Sequence, residues 1–167
     1  VYDAMCRAFH PGYPADVTAT DGLIAAEGRD IPVRRYRMAG KAPRAIVVYY
    51  HGGGFALGNL DSHDDICAEI CAATGFEVVS ADYRLAPEHR HPAAFDDARA
   101  VFEWVAATSA LPIVLCGESA GGNLAAAVTH ATRRSQRRAA GQVLIYPELG
   151  GDQTARSYVE HAEAPLL

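Results

Sequence analysis

No run of apolar residues in the 167-residue sequence approaches the roughly 20 needed to cross a bilayer, so the chain is expected to be soluble, with no membrane span. Positive charge is in short supply. Fifteen Lys and Arg face 20 Asp and Glu, leaving a formal net charge of -5 and no footing for nucleic acid, which would want a basic patch. The one basic cluster, Arg133, Arg134, Arg137 and Arg138, follows an apolar helical run, where cations complement a helix C-terminus and stay solvated. Cysteine is scarce and scattered, at Cys6, Cys67, Cys71 and Cys116, which excludes metal-ligand spacings and the dense disulfide framework of a small secreted domain. Cys67 and Cys71 stand four apart on an expected helix and so share one buried face. They read as small core hydrophobes, and a reducing cytoplasm as the expected location. There is no internal repeat, no low-complexity tract and no visible signal peptide, although the sequence opens on Val1, which leaves a removed export signal open. What remains is ordinary globular composition, half hydrophobic and 21% charged, enough for one domain with a real core.

The order of elements sets the fold class. Residues 1 to about 20 read as irregular, with Pro11, Gly12 and Pro14 interrupting any helix that starts near Asp3. Leu23–Glu27 and Ile31–Arg37 read as a strand pair joined through Gly28, Arg29 and Asp30, adding antiparallel strands at one sheet edge. Ala45–Tyr50 is a near-continuous β-branched and aromatic run, as expected of a strand buried on both faces. Helices are expected over Ser62–Ala73, Ala93–Ala107 and Ala120–Arg133, alternating with strands Phe76–Ala81, Ile113–Cys116 and Gln142–Tyr146. Tyr158, Val159 and Leu166 suggest a last helix or cap segment. That alternation implies an α/β fold, mostly a parallel sheet with helices on both faces.

Two motifs carry chemistry. Gly117-Glu118-Ser119-Ala120-Gly121 lies directly after one expected strand and before one expected helix. A turn this tight needs glycine on either side and holds the serine hydroxyl out at the carboxyl edge of the sheet, where the helix N-terminus favours developing negative charge. Ser119 read this way is a nucleophile; the competing reading is a helix-capping serine beside a glycine turn. The second motif, His51-Gly52-Gly53-Gly54-Phe55, follows the strand Ala45–Tyr50. Glycines there let backbone amides approach a substrate oxygen, and the candidates for stabilising an oxyanion are the amides of Gly53, Gly54 and Ala120. A phosphate cradle does not fit, because neither a Walker-type Lys-Ser/Thr nor a G-x-G-x-x-G spacing follows.

The two motifs in that order, with Asp82-Tyr83-Arg84-Leu85-Ala86-Pro87-Glu88, His91-Pro92-Ala93-Ala94, Gly122-Asn123-Leu124 and Tyr146-Pro147, resemble the hormone-sensitive-lipase-like family of α/β-hydrolase esterases from about residue 31 onward. The resemblance implies a carboxylic ester hydrolase acting on small acyl esters through a serine acyl-enzyme, with no metal and no diffusible cofactor. It implies that Gly53, Gly54 and Ala120 supply the oxyanion amides, that His51 shapes its loop, and that Asp82–Pro92 braces the floor of the site.

A serine of this kind needs a base and an acid to orient it, and in α/β-hydrolases these follow the nucleophile in the order acid, then histidine. About twenty residues follow Tyr146, and none of them reads as the family's acid or histidine loop. The expectation is therefore a sheet truncated after about six strands. Residues 1–22 form an N-terminal segment, a remnant of a cap, and 23–167 an incomplete catalytic domain whose acid and histidine lie beyond the chain. Its open edge would invite self-association or a missing C-terminal segment. Asp152 and His161 form a compressed alternative pair. His10, His63, His89, His91 and His130 read as solvated or locally hydrogen-bonded. An alternative of another class is a non-catalytic, receptor-type binder of a small ligand, as in the plant gibberellin receptors that resemble this family.

Overall fold

The structure is a computed structural model and describes residues 2–150, 154 and 156–160. A short helix α1 (Tyr2–Phe9) precedes an antiparallel hairpin, β1 (Val17–Ala26) and β2 (Arg29–Met38). Then come β3 (Ile46–Tyr50), α2 (Asp64–Thr74), β4 (Glu77–Ala81), α3 (Ala93–Thr108), β5 (Ile113–Glu118), α4 (Ala120–Thr132), β6 (Gly141–Ile145) and α5 (Arg156–Glu160). The six strands lie in the order β1-β2-β4-β3-β5-β6. β2 runs antiparallel to β4, while β4, β3, β5 and β6 are mutually parallel. The hairpin therefore forms one edge, as its position before the alternating elements predicts.

Three expectations are corrected. The first residues are not irregular throughout: α1 fits into the eight residues before Pro11, which ends the helix rather than preventing it. β1 begins at Val17, six residues before the expected start, because Val17 and Ala19, alternating with Thr18 and Thr20, pack on the cluster under α2 while the whole strand pairs with β2. The hairpin loop is Glu27-Gly28 rather than Gly28-Arg29-Asp30. Gly28, at φ 72°, takes the left-handed conformation the two-residue loop requires, and Arg29 already pairs with Ala26.

Every residue of β3 and β4 is buried, as befits parallel strands covered on both faces. Their side chains alternate between two clusters. Val48, Tyr50, Val79 and Ala81 pack against α3 and α4 through Val101, Phe102, Leu124 and Val128. Val47, Tyr49 and Val78 pack against α2 through Cys67, Ala68 and Cys71, so these two cysteines are core hydrophobes, as expected. At the far edge β6 is largely exposed, and Val143, Tyr146 and Leu149 stand open to solvent.

Two carboxylates tie the layers together. Asp64, at the first position of α2, accepts hydrogen bonds from Tyr36 Oη (2.7 Å), Tyr13 Oη (2.9 Å), Arg34 Nη1 (2.9 Å) and His10 Nε2 (2.9 Å), pinning the N-terminal segment to β2 and α2. Asp97 on α3 is buried and accepts from Arg84 Nε (2.8 Å), Arg84 Nη2 (2.9 Å), the Arg84 amide (3.0 Å) and Arg29 Nε (2.5 Å). Burial alone would raise the Asp97 carboxyl, but the Arg84 and Arg29 donors outweigh it and hold the group below the usual carboxylate range. Asp97→Asn is expected to lose about 2–4 kcal/mol of stability at pH 7, read by urea unfolding. A depressed folded-state value means the stabilisation is complete above the unfolded value and fades as pH falls through the folded one. The deficit of the variant should therefore shrink below about pH 4.

Candidate active site

The parallel register places the two motifs side by side. Tyr50 pairs with Gly117, so the chain leaving β3 and the chain leaving β5 emerge together at the carboxyl edge of the sheet, which is where open α/β sheets bind ligands. Ser119 is the residue between β5 and α4, with φ 53° and ψ -119°, a left-handed conformation rare for a side chain of this kind. Its amide donates to Ile145 O at 2.9 Å, and its carbonyl accepts from the amides of Asn123 (3.0 Å) and Glu148 (3.3 Å). The backbone is thus held on both sides while the hydroxyl makes no capping hydrogen bond to α4. The capping reading of Ser119 therefore has no bond to rest on.

The glycines flanking Ser119 are required by close backbone approach. A Cβ on Gly117 would lie 2.8 Å from Tyr50 O and would also meet Gly121 O, and one on Gly121 would meet the carbonyl groups of Tyr50 and His51. The serine turn and the end of β3 are in direct backbone contact, which only Gly allows.

In the loop after β3, Gly53 (φ 112°), Gly54 (φ 61°) and Phe55 (φ 62°) follow one another in positive φ. The carbonyl of Gly53 accepts from the amides of Ala56 (3.1 Å) and Leu57 (2.9 Å), closing a turn, and Phe55 O accepts from Ala86 N at 2.8 Å. Among the described residues no acceptor takes the amides of Gly53, Gly54 or Ala120, the three N–H groups nominated from the sequence.

His51 is fully buried, stacked on Tyr83 with ring centroids 4.3 Å apart, and its Nδ1 lies 2.7 Å from Gly52 O. Burial pushes its imidazole down to about 4, so it stays neutral near pH 7. Tyr83 Oη donates to His51 O at 2.6 Å. With Ala86 N on Phe55 O, this ties the Asp82–Pro92 stretch to the glycine loop, in keeping with the bracing expected of it.

Two residues of the site escaped the sequence. His63 is neither solvated nor bound only to its near neighbours: it is buried at the N-cap of α2, and its Nε2 reaches Glu118 Oε1, 55 residues away, at 2.9 Å. Glu118, the variable position of the serine motif, also accepts from the amide of Gly52. Burial would raise its carboxyl, but the His63 bond and charge and the Gly52 N–H outweigh burial and hold it low. The available signal was strand alternation: Glu118 shares a face with Cys116, and that face is the one α2 covers. Asp152 and His161 lie outside the described residues. Among the described residues no group of side chains is arranged to hold a metal ion, and no helix is long and apolar enough to cross a membrane.

Beside the loop, Gly54, Phe55, Phe95, Asn123, Leu124 and Ala127, with Arg84, His89 and His91, line a mainly apolar cleft of about 410 Å³.

A family model described as alpha/beta hydrolase fold matches residues 47–167. The carboxylic ester hydrolase LipN of Mycobacterium tuberculosis (strain ATCC 25618 / H37Rv) is 41% identical over 166 residues, covering 92% of this chain and 44% of that protein. The gibberellin receptor GID1C of Arabidopsis thaliana is 36% identical over 122 residues, covering 67% of this chain and 36% of the receptor. Among solved structures, a bacterial heroin esterase superposes with a TM-score of 0.90 at 29% identity, covering 99% of this chain and 56% of that one. The chain thus spans 44% to 56% of the length of these two hydrolases. The order of strands, the strand-turn-helix at Ser119 and these likenesses agree: the chain belongs to the hormone-sensitive-lipase-like esterase family of the α/β-hydrolase fold.

Proposed function

We propose that this chain carries the nucleophile and oxyanion half of a serine carboxylesterase that hydrolyses small acyl esters. The observation that carries the reading is the convergence of a strained, uncapped Ser119 with three unclaimed amides at one edge of the sheet. Ser119 Oγ attacks the ester carbonyl, and the oxygen that becomes anionic is received by the N–H groups of Gly53, Gly54 and Ala120. The collapse of that intermediate expels the alcohol and leaves an acyl group on Ser119, which water then removes. The serine proton needs a base. Among the described residues no imidazole or carboxylate hydrogen-bonds to Ser119 Oγ, so in this reading the base comes from outside them. The open edge of β6 is the natural docking place for a segment that brings it.

The apolar cleft is assigned to the substrate's acyl group, since Gly54 of the loop lines it together with the apolar side chains of Phe55, Phe95 and Leu124. Ala127→Trp is expected to lower kcat/KM for p-nitrophenyl hexanoate about 10-fold while leaving p-nitrophenyl acetate within about 2-fold, because only the longer chain reaches the obstruction. Equal losses on both esters would remove the cleft from the reading.

The test of the function is hydrolysis of p-nitrophenyl acetate and butyrate, with labelling of intact protein by a fluorophosphonate, in the parent chain and Ser119→Ala. Where the base is supplied, by His161 or by a segment that completes the fold, turnover and one mass adduct, both lost in the variant, are expected; turnover that survives the substitution overturns the reading. His161→Ala in the same assay decides whether that histidine is the base. The absence of both turnover and labelling would favour the receptor-type alternative or a chain whose base lies on a further segment.

A further inference from the structure

Glu118 has no task in the reaction as written, yet it is the residue next to the nucleophile and it stays ionised. An uncommitted carboxylate there would oppose the oxyanion that Gly53, Gly54 and Ala120 are placed to receive. Its Oε1 is not uncommitted. β5 runs to Glu118, and strand alternation turns that side chain to the face covered by α2. At the first cap of α2, His63 meets it. Nε2–H donates to Glu118 Oε1, since an ionised carboxylate has no proton to give, and Nδ1 rests 2.8 Å from Ser62 Oγ. Ser62 is fixed in turn, its Oγ bonding to both the amide (2.9 Å) and the carbonyl (2.9 Å) of Asn59. The imidazole is further gripped between His51, at 5.5 Å, and Tyr49, at 6.2 Å.

The same Oε1 that faces His63 takes the amide of Gly52. A Cβ on Gly52 would occupy the place of the carboxylate itself, so loop backbone and carboxylate are in contact with no room between them. Gly52 immediately precedes Gly53 and Gly54. A hydrogen bond from an amide to an ion is roughly twice as strong as one to a neutral acceptor, and this one joins the glycine loop to the residue before Ser119. Among the described residues no other hydrogen bond runs directly between a side chain of the serine turn and that loop.

We propose that Glu118 and His63 are positioning residues that fasten the Gly52–Gly54 loop to the Ser119 turn and so hold the oxyanion amides at their working distance. The inference rests on the reading of Ser119 and the three amides given above. Glu118 touches no reacting atom; it acts through Gly52, and His63 acts through Glu118, holding its carboxylate in place and turning one lone pair away from the site.

The experiment compares the parent chain with Glu118→Gln, His63→Ala and His63→Gln by steady-state hydrolysis of p-nitrophenyl butyrate and by amide hydrogen exchange. Glu118→Gln is near in shape but loses the charge, and kcat is expected to fall about 10- to 100-fold with KM within about 2-fold, the signature of a displaced oxyanion donor. His63→Ala should lose about 10-fold in kcat, and His63→Gln, whose amide can still donate, should recover most of it. Exchange at Gly53 and Gly54 should quicken in Glu118→Gln and His63→Ala while Val47–Tyr50 stay protected. Unchanged kcat with unchanged loop exchange overturns the proposal. So does a rise in exchange spread evenly through the sheet, which would make the pair a general stabilising contact. A kcat that increases in Glu118→Gln would show the carboxylate to be an electrostatic burden instead. If the parent chain shows no Ser119-dependent turnover, fluorophosphonate labelling of Ser119 tests the functional reading separately, and the exchange measurement alone still decides whether the pair fastens the loop.

Discussion

Ser119→Gly is expected to abolish ester hydrolysis and, at the same time, to make the protein more stable. The loss of activity follows from removing the attacking oxygen: without it the acyl-enzyme cannot form, and the rate should drop by at least about 10⁴-fold, leaving what the oxyanion amides and binding alone provide. The gain in stability follows from the backbone. At φ 53° and ψ -119° Ser119 sits where an L side chain collides with its own chain, and the residue is kept there by Ile145 O, Asn123 N and Glu148 N. Such strain costs about 1–3 kcal/mol. Glycine is free of it but brings about 0.5–1 kcal/mol of extra chain entropy in the unfolded state, so a net gain near 1 kcal/mol is expected in urea unfolding. Ser119→Ala separates the two effects. It removes the same oxygen and keeps the Cβ, so activity should vanish with stability close to the parent. A serine serving as a helix cap would behave in the opposite way, losing about 1 kcal/mol on substitution by Ala.

The strain at Ser119 also shows where sequence reading works well. A glycine on each side of a serine, placed between an apolar strand and a helix, is a local pattern, and the backbone conformation it demands is local too. The same holds for the glycine run after β3 and for the strands themselves, since β3 and β4 are short all-apolar runs bounded by turn residues. What could not be read were features whose physics is nonlocal. β1 is continuous because β2 pairs with it from Val17 to Ala26: the alternation of Val17 and Ala19 with Thr18 and Thr20 breaks at Asp21-Gly22, and only the pairing carries the strand across. α1 is a single eight-residue helix whose next residues are held by His10 and Tyr13 on Asp64, more than fifty positions on. His63 and Glu118 meet only because a helix start and a strand end share one face of the sheet, and nothing in either neighbourhood announces the other.

Gly121→Ala is expected to damage the protein more than any other single methyl addition along the serine turn, and the reason is the contact that brings the two motifs together. The added Cβ would fall 2.5 Å from His51 O and 2.6 Å from Tyr50 C, with the carbonyl oxygen of Tyr50 nearer still. These are backbone atoms at the end of a fully buried central strand, so no side chain can swing aside to make room. Relief requires α4 to move away from β3. That movement would open the packing of Leu124, Ala125 and Val128 on the sheet, and it would carry the Ala120 amide away from Gly53 and Gly54. Overpacking usually costs about 1–3 kcal/mol, and with backbone as the obstacle a loss of at least about 3 kcal/mol is expected in urea unfolding. Any folded fraction should also hydrolyse p-nitrophenyl butyrate about 100-fold more slowly, because a displacement near 1 Å is enough for that. Gly141→Ala is the matched control: its Cβ would meet nothing within 4 Å, its φ is unexceptional, and it lies in the exposed strand β6. There the same chemical change should be neutral or stabilise by up to about 1 kcal/mol through the unfolded state. If Gly121→Ala behaved like Gly141→Ala, β3 and α4 could not be in the contact described, and the convergence of Ser119 with the glycine loop would have to be given up with it.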